Sequence, residues 1–495
     1  MVSKDGKARH TDTLDSGGRL SRSPEACPAV PGGDERGQRR LRQYLDRYVP
    51  RGPWRLVRGD PSEVALVVVI PALAEKGHLF DTLAALAANP PDRLAETLAI
   101  VVVNNGPRET VDREMFTDNQ ETIAILNGLI AGRTRGSESA DRRLRGVLDF
   151  LRGSGLRIGL IDASSSGYEI PSSLAGVGAA RKIGLDLALT LRPAPRGRPV
   201  LVCLDADTIV APDYLPAIRR HFHDPEHGAA VIAFRHPLPD VPDRRAAILC
   251  YELFLRYYVL GLSWAGSPYA FHSIGSTMVF TPDRYVAVRG MSRRTAGEDF
   301  YFLNKVRKAG PISSVTDTCV RPSDRLSSRV PFGTGKRMIR HLAGERDEYL
   351  FYHPDIFAIL RKWLALMDED WRRPAQAILE AASGLHPGLR VFLERRNFPE
   401  IWPRLQRQAR NTGAAHRAFH TWFDGFRTLR LVHELAASAY PPQPMAAALS
   451  WLMRAWGQSG PDPGERGFSE DLQAQEACLM TLRGLETSET RRGAF

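Results

Sequence analysis

The stretch Val200-Leu-Val-Cys-Leu-Asp205-Ala-Asp207 decides the predicted fold, because it joins a short apolar run to two carboxylates. A continuous apolar run of this length predicts a strand that is buried on both faces. If the strand continues to its end, Asp205 and Asp207 lie on the same face. Carboxylates this close repel each other unless they share a proton or a cation. Oxygen ligands of this kind suit Mg²⁺ or Mn²⁺ bound together with phosphates, although a turn with a helix-capping aspartate fits the same residues.

Three further apolar runs of the same kind precede this strand, at Val64–Ile70, Leu98–Val103 and Leu156–Ile161. Helical patterns alternate with them, at His78–Ala88 and around Ala179–Leu191. Alternating strands and helices predict an α/β fold with a mainly parallel sheet. In such sheets, ligands bind beyond the carboxyl ends of the strands, where the two aspartates are expected.

The rest of the chain has a different pattern. After residue 337, apolar residues recur at three- and four-residue spacing without strand signals, which predicts an all-helical C-terminal module. The predicted organisation is a disordered tail (1–40), an α/β domain (41–337) with an insertion at about 107–155, the helical module (338–457) and a loose tail (458–495).

Composition limits the class of protein. The 495 residues are 43% hydrophobic and 25% charged, which excludes a mostly disordered or fibrous chain. Lys and Arg number 67 against 56 Asp and Glu, a net charge of +11 that suits anionic partners or an arginine-rich surface. Five scattered cysteines indicate neither a disulfide framework nor a zinc site. Without a secretory signal or an evident spanning helix, we expect a cytoplasmic protein, with contact to the inner face of the membrane left open.

The ends of the other predicted strands also carry polar groups. The first strand is followed by Pro71-Ala-Leu-Ala-Glu75 and the second by Asn104-Asn105-Gly106. A further segment, Gly176-Val-Gly178-Ala-Ala-Arg181-Lys182-Ile-Gly184, opens a helix with small residues and two cations. Backbone amides and positive charge at a helix start favour a phosphate group.

These motifs, followed by Gly297-Glu298-Asp299-Phe300, occur in the order found in family 2 glycosyltransferases of the GT-A fold. The sequence resembles this family from about residue 64 to residue 335. The resemblance implies a Rossmann-like nucleotide-diphospho-sugar transferase sheet flanked by helices. It also implies a nucleotide-sugar donor, a hydroxyl acceptor such as a sugar, and a divalent cation, Mn²⁺ or Mg²⁺.

The resemblance also implies roles for particular residues. Asp205 and Asp207 would hold the ribose and the metal-diphosphate, and Asp299 would be the general base of an inverting transfer, with Glu298 as its rival. The other donor-site residues that it implies are Pro71, Ala72 and Glu75 at the nucleoside, Asn104 and Asn105 near the base, and Arg181 and Lys182 by the nucleotide and diphosphate.

A second group of residues is predicted to contact the acceptor or to form a lid. The Gly- and Arg-rich stretch from 321 to 336 lies where the family often has a mobile lid, and the tract from 261 to 276 mixes aromatic with small polar residues. The candidates are Trp264, His272, Arg325, Arg329 and Lys336. Packing in the core and an ordinary polar loop are the alternatives.

Two positions depart from the family pattern. Ala74 stands where the family usually has Asn, and Asn104 and Asn105 stand where its second strand usually ends in Asp. Because an amide both donates and accepts, UDP- and GDP-sugars stay open. A retaining transferase, a sugar nucleotidyltransferase and a basic nucleotide- or nucleic-acid-binding protein are the alternatives, although no groove-reading motif supports nucleic acid. A homodimer stays open.

Overall fold

The computed structural model describes residues 35–133, 141–174, 176–194, 197–292, 296–327, 333–462 and 467–492. The strands in these ranges are β1 (Leu56–Arg58), β2 (Leu66–Ala72), β3 (Thr97–Asn104), β4 (Arg157–Ala163), β5 (Val200–Cys203), β6 (Ile209–Val210), β7 (Ala229–Phe234), β8 (Met278–Phe280), β9 (Ser313–Arg321), β10 (Leu350–Phe351) and β11 (Gln443–Pro444).

The helices of the N-terminal half are α1 (Glu35–Tyr48), α2 (Lys76–Ala87), α3 (Pro91–Ala95), α4 (Arg113–Ile130), α5 (Arg142–Gly153), α6 (Val177–Ala188), α7 (Tyr214–His221) and α8 (Pro242–Trp264). Those that follow are α9 (Pro282–Ala287), α10 (Glu298–Ala309), α11 (Thr334–Leu342), α12 (Pro354–Glu369), α13 (Ala375–Leu385), α14 (Pro387–Arg395), α15 (Phe398–Gln408), α16 (Thr412–Trp422), α17 (Gly425–Ser438), α18 (Met445–Ala455) and α19 (Leu472–Arg492). Short 3-10 turns lie at Arg108–Thr110 and Gly275–Thr277.

One mixed sheet organises the α/β part, with the strand order β1-β4-β3-β2-β5-β8-β7-β9-β6. The four predicted strands, β2 to β5, are its parallel centre. Beyond β5 the pairings are mixed, because β8 runs antiparallel to both β5 and β7 while β9 runs parallel to β7. The α/β fold is therefore confirmed, but the sheet is not mainly parallel, because only four of the eight pairings between its described strands are parallel, three of them at the centre and the fourth between β7 and β9.

Helices cover both faces of this sheet. On one face α2, α4, α5 and α7 bury apolar side chains against it, and on the other α1, α6, α9 and α10 do so. Helix α6 approaches the strands closely at Gly184, where a Cβ atom would lie 2.4 Å from a methyl group of Val69 and 2.9 Å from one of Val102. Glycine at this position therefore allows α6 to pack close to the sheet, and this distance in turn sets the position of Arg181.

The C-terminal helices share a second large core with α8. The only strands in this part of the described chain, β10 and β11, form a two-residue antiparallel pair, so the module is helical apart from this pairing. The central helix α8 is long and apolar enough to cross a membrane by length and composition, yet most of it is buried inside the protein. Its buried Glu252 and Arg256 form an ion pair with each other, as in an internal helix.

Two predictions about the chain ends need correction. Helix α1 begins at Glu35, inside the stretch predicted to be a disordered tail, and it buries Leu41 and Tyr44; residues 1–34 lie outside the described residues. The predicted loose tail contains α19, which packs on α8 and buries Leu479, Leu482 and Leu485. These leucines lie three residues apart and share one buried face of the helix with Cys478.

Candidate active site

Arg181 lies at the centre of the site and joins the end of β5 to the start of α10. One terminal nitrogen of its guanidinium donates to Asp205 Oδ1 and the other to Glu298 Oε1. Its side chain is only 3% exposed. Burial alone would lower the pKa of Arg181, but the charges of Asp205 and Glu298 raise it above its ordinary value. The guanidinium lies over Gly275, where a Cβ atom would be 2.2 Å from Nη2, so a larger residue there would displace it.

Asp205 is held through both of its oxygens. Oδ1 accepts from Arg181, while Oδ2 accepts from Ser276 Oγ at 2.6 Å. The Ser276 hydroxyl in turn accepts from Thr208 Oγ1 at 3.1 Å. Strand β5 ends at Cys203, so the two aspartates lie in the turn after the strand and not, as predicted, within it.

Asp207 belongs to a second ion-pair cluster, which connects the ends of β2 and β5. Arg325 binds Glu75 with both terminal nitrogens, one of them 2.9 Å from Oε2. Its Nε lies 2.9 Å from Asp207 Oδ2. The pKa of the Asp207 carboxyl is raised to about 6. Burial is the largest cause, the charges of Asp205 and Glu75 add to it, and the charge of Arg325 opposes it. Arg325, predicted as a lid residue, therefore contacts a predicted metal ligand directly.

The acidic pair Glu298–Asp299 begins α10, directly after Gly297, which has a left-handed φ of +68°. Glu298 is bound to Arg181, whereas Asp299 Oδ1 accepts from the Phe300 backbone N–H at 2.7 Å. Burial and the neighbouring Glu298 charge raise the pKa of the Asp299 carboxyl to about 7; Arg181 lowers it and Asp205 raises it. The pair thus lies in the same electrostatic cluster as Asp205.

The polar residues after β3 are joined to the first motif by Asn119, a residue of α4 that the sequence motifs do not reveal. Its Nδ2 lies 3.2 Å from the Asn104 carbonyl and 3.0 Å from Asn105 Oδ1, and its Oδ1 accepts from the Ala74 N–H at 2.8 Å. Asn105 also donates to the Gly106 carbonyl at 2.7 Å and accepts from Ser164 Oγ. The Asn105 amide is therefore used within the protein, while the described contacts of Asn104 involve its backbone. Asn119 is a buried polar residue in the second turn of α4, within the predicted insertion.

Pro71 and Ala72 are the last residues of β2 and are buried in the sheet. Lys182 lies on another side of α6 from Arg181. Its Nζ is 2.8 Å from Asp186 Oδ2 and 2.8 Å from the Tyr44 hydroxyl. It also lines a cavity of about 520 Å³ beside α1, together with Arg47 and Arg289. These contacts do not bring Lys182 to the carboxylate cluster, where its predicted role would require it.

The remaining predicted residues are dispersed. Trp264 packs against Trp451, with ring centroids 5.1 Å apart, and under the Arg361 guanidinium. His272 Nε2 lies 2.7 Å from Glu486 Oε1 on α19. Both side chains therefore join the α/β part to the helical module.

Two lid candidates have a different outcome. Lys336 lies in the first turn of α11, and Arg329 lies outside the described residues.

A mixed sheet with acidic residues beyond its central strand, opposite an acidic pair at a helix start, is the arrangement of a GT-A glycosyltransferase. The family model described as glycosyl transferase family group 2 matches residues 200–457, which include Asp205, Asp207 and the Glu298–Asp299 pair. The chain belongs to this family, and the resemblance seen in the motifs is confirmed.

Solved structures that match the chain include the mannosyltransferase PcManGT from Pyrobaculum calidifontis in complex with GDP-Man and Mn²⁺, at 15% identity and a TM-score of 0.32, covering 91% of this chain and 95% of that one. S. aureus TarS 1-349 in complex with UDP-GlcNAc shares 12% identity with a TM-score of 0.30, covering 87% of this chain and 92% of that one. No curated protein sequence matches the chain.

Proposed function

We propose that the chain transfers a sugar from a UDP- or GDP-sugar to a hydroxyl group of an acceptor, with inversion at the anomeric carbon. The observation that carries the proposal is the grouping of Asp205 and Glu298–Asp299 around Arg181 at the end of β5. The donor site needs carboxylates to hold the metal-diphosphate, and the acceptor site needs a carboxylate as the general base. In this protein Asp205 on the donor side and Glu298–Asp299 on the acceptor side lie in one cluster.

The charges of the cluster fit a divalent cation. Among the residues described above, five carboxylates share two guanidinium groups, those of Arg181 and Arg325. Burial is the largest cause of the raised pKa values of Asp207 and Asp299, and neighbouring carboxylates raise both values further. Carboxylate oxygens are the ligands that Mg²⁺ and Mn²⁺ prefer. Asp207, together with Asp205, would hold the cation, which supplies positive charge for the departing nucleoside diphosphate when bound.

Asp299 is the proposed general base. A sugar hydroxyl is a weak nucleophile near neutral pH, so a carboxylate must accept its proton as the attack proceeds. A pKa raised to about 7 makes Asp299 a stronger base than an ordinary aspartate while leaving it ionised above neutral pH. Glu298 is less suited to this role because Arg181 occupies its carboxylate.

Other residues of the chain bind and orient the donor. Arg325 can exchange its ion pair with Asp207 for contacts with the diphosphate of the donor, because planar guanidinium groups suit phosphate oxygens. Asn104 is the amide available for the base, because the Asn105 side chain is bound to Asn119, Ser164 and Gly106. An amide pairs with uracil as well as with guanine, which keeps both donor classes in the proposal.

The proposed location is the cytoplasm. The cysteines in the described residues, Cys203, Cys250, Cys319 and Cys478, are all free thiols, which supports a reducing compartment.

The proposal is tested by incubating the protein with UDP- and GDP-sugars, with and without Mn²⁺. Donor binding is measured as an increase in thermal stability, and turnover is measured as the release of nucleoside diphosphate. We expect one donor class to stabilise the protein in the presence of Mn²⁺ and to release the diphosphate, and the Asp207→Asn variant to lose both effects. Asp283→Asn, an exposed aspartate on α9, is the matched control. Release of pyrophosphate, or a product with retained anomeric configuration, would contradict the proposal.

A further inference from the structure

A cluster of three metal-ligating side chains lies in the helical module. Its helices are separate from the elements that carry the carboxylates around Arg181 and Arg325. His416 and His420 are one helical turn apart on α16, and Asp368 lies near the end of α12. One ligand atom from each lies within 4.8 Å of the others. His416 Nε2 is 3.0 Å from Asp368 Oδ1 and 3.1 Å from His420 Nε2.

These contacts cannot all be satisfied by hydrogen atoms. If His416 Nε2 carries a hydrogen directed at Asp368, that hydrogen does not also point at His420 Nε2. If His420 Nε2 donates to His416 instead, the lone pair of His416 faces the carboxylate. In either arrangement, one of the two short contacts is not a well-formed hydrogen bond. A cation placed between the three atoms would satisfy all of them at once.

We propose that Asp368, His416 and His420 bind a first-row divalent metal ion of the zinc type, as a second cation site distinct from the one at Asp207. Imidazole nitrogen and carboxylate oxygen are suitable ligands for Zn²⁺, Co²⁺ and Ni²⁺. Bonds of about 2.0–2.1 Å in a tetrahedral site separate the ligand atoms by about 3.3–3.4 Å. The two spacings at His416 Nε2, 3.0 Å and 3.1 Å, need to widen by only about 0.3 Å to reach this value, and the third spacing, from Asp368 to His420, is at most 4.8 Å.

The surroundings indicate an open site of moderate affinity. The side chains of His416 and Asp368 are 48% and 54% exposed, which leaves the fourth position to water. His420 is buried and Nδ1 has no hydrogen-bond partner among the described residues, so it lacks the outer contact that usually orients a metal-binding histidine. Loss of such contacts typically weakens binding about 10- to 100-fold, and we therefore expect micromolar affinity.

The position of the cluster indicates what the ion would do. The ion would join α12 to α16, close to the place where the helical module contacts α10. The backbone carbonyl of His420 accepts from the Tyr269 hydroxyl at 2.6 Å, and Asp424, just after α16, accepts from Asn304 of α10 at 3.2 Å. Metal binding should therefore stabilise the packing of the module, whether or not the chain transfers sugars.

The test uses full-length, tag-free protein carrying Asp207→Asn, which removes the proposed donor-site cation. Titration with Co²⁺ alone should give one bound equivalent with visible d–d absorption, and Zn²⁺ should displace it and raise Tm by about 2–5 °C. His416→Ala and Asp368→Asn, both at exposed positions, should each weaken binding at least about 10-fold. His223→Ala, an exposed histidine outside the cluster, should leave it unchanged. Equal Co²⁺ binding in all variants, or no binding below about 1 mM, would overturn the proposal.

Discussion

Arg325 and Asp207 form a direct ion pair, with Nε of the arginine 2.9 Å from Oδ2 of the aspartate. The same guanidinium binds Glu75, so it neutralises carboxylates from the ends of two neighbouring strands. A cation bound at Asp207 must share that carboxylate with Arg325 or displace it. The pair therefore links metal binding to the position of the segment that follows β9.

The first prediction concerns this competition. Arg325→Met should strengthen the binding of Mn²⁺ alone by about 3- to 10-fold, because Asp207 and Glu75 lose their positive partner. The same change should slow transfer by about 10- to 100-fold, because the diphosphate loses a guanidinium contact. Mn²⁺ titration and initial rates measure the two effects, with exposed Arg321→Met as the control. Weaker Mn²⁺ binding in Arg325→Met would show that the arginine does not compete with the cation.

The second prediction is a pH profile. Because the pKa of Asp299 is raised to about 7 and the ionised carboxylate is the base, the transfer rate at saturating substrate should rise with pH and reach half its maximum near pH 7. A rate that is flat between pH 5.5 and about pH 8.5 would exclude Asp299 as the titrating group.

The same raised pKa has a consequence for stability. The folded protein binds the Asp299 proton more tightly than the unfolded chain does, so this group stabilises the fold at low pH and the contribution is lost as pH rises toward 7. Asp299→Asn should therefore raise the free energy of unfolding at pH 8 by about 1–2 kcal/mol, with little change at pH 4. Urea denaturation at the two pH values measures this, and equal effects at both would count against the raised pKa.

A further prediction concerns Ala74, which has a φ of +50°. The left-handed region costs an alanine about 1 kcal/mol, whereas asparagine tolerates it. Ala74→Asn should therefore stabilise the protein by about 0.5–1 kcal/mol, and Ala74→Val should destabilise it because a β-branched residue fits this region poorly. The two variants are compared by urea denaturation, and the reverse order would mean that the backbone at residue 74 is not left-handed.

The last stability prediction tests the docking of α19. Leu482 is fully buried and Met480 is 59% exposed on the same helix. Leu482→Ala should cost about 2–4 kcal/mol in the free energy of unfolding, and Met480→Ala less than about 0.5 kcal/mol. Similar small losses in both variants would show that the helix is not packed against α8.

The sequence predicts the centre of the sheet well because buried parallel strands are continuous apolar runs, as in β2 and β3. Strand β8 has only three residues and β9 is only partly apolar, so neither gives a clear strand signal. Strand β7 is a six-residue apolar run that was not identified from the sequence. Helix α19 was missed because its apolar face includes polar Gln475 and because its partner α8 lies more than 200 residues earlier.

The candidate site was predictable in its residue types and less so in its contacts. Arg181 and Lys182 are adjacent in the sequence, yet successive residues of a helix point in directions about 100° apart. Close packing at Gly184 fixes the rotation of α6, so Arg181 reaches Asp205 while Lys182 reaches Asp186. Local sequence does not encode that choice. Asn119 was missed because it lies in the insertion, outside every motif.

In the proposed reaction, Asp299 takes the acceptor proton beside a donor that is held near Asp205 and Asp207. The most direct measurement compares donor binding and transfer in Asp299→Asn, with Mn²⁺ present. We expect the donor dissociation constant to stay within about threefold of the wild-type value while the transfer rate falls at least about 100-fold. Transfer at the wild-type rate in Asp299→Asn would contradict this proposal.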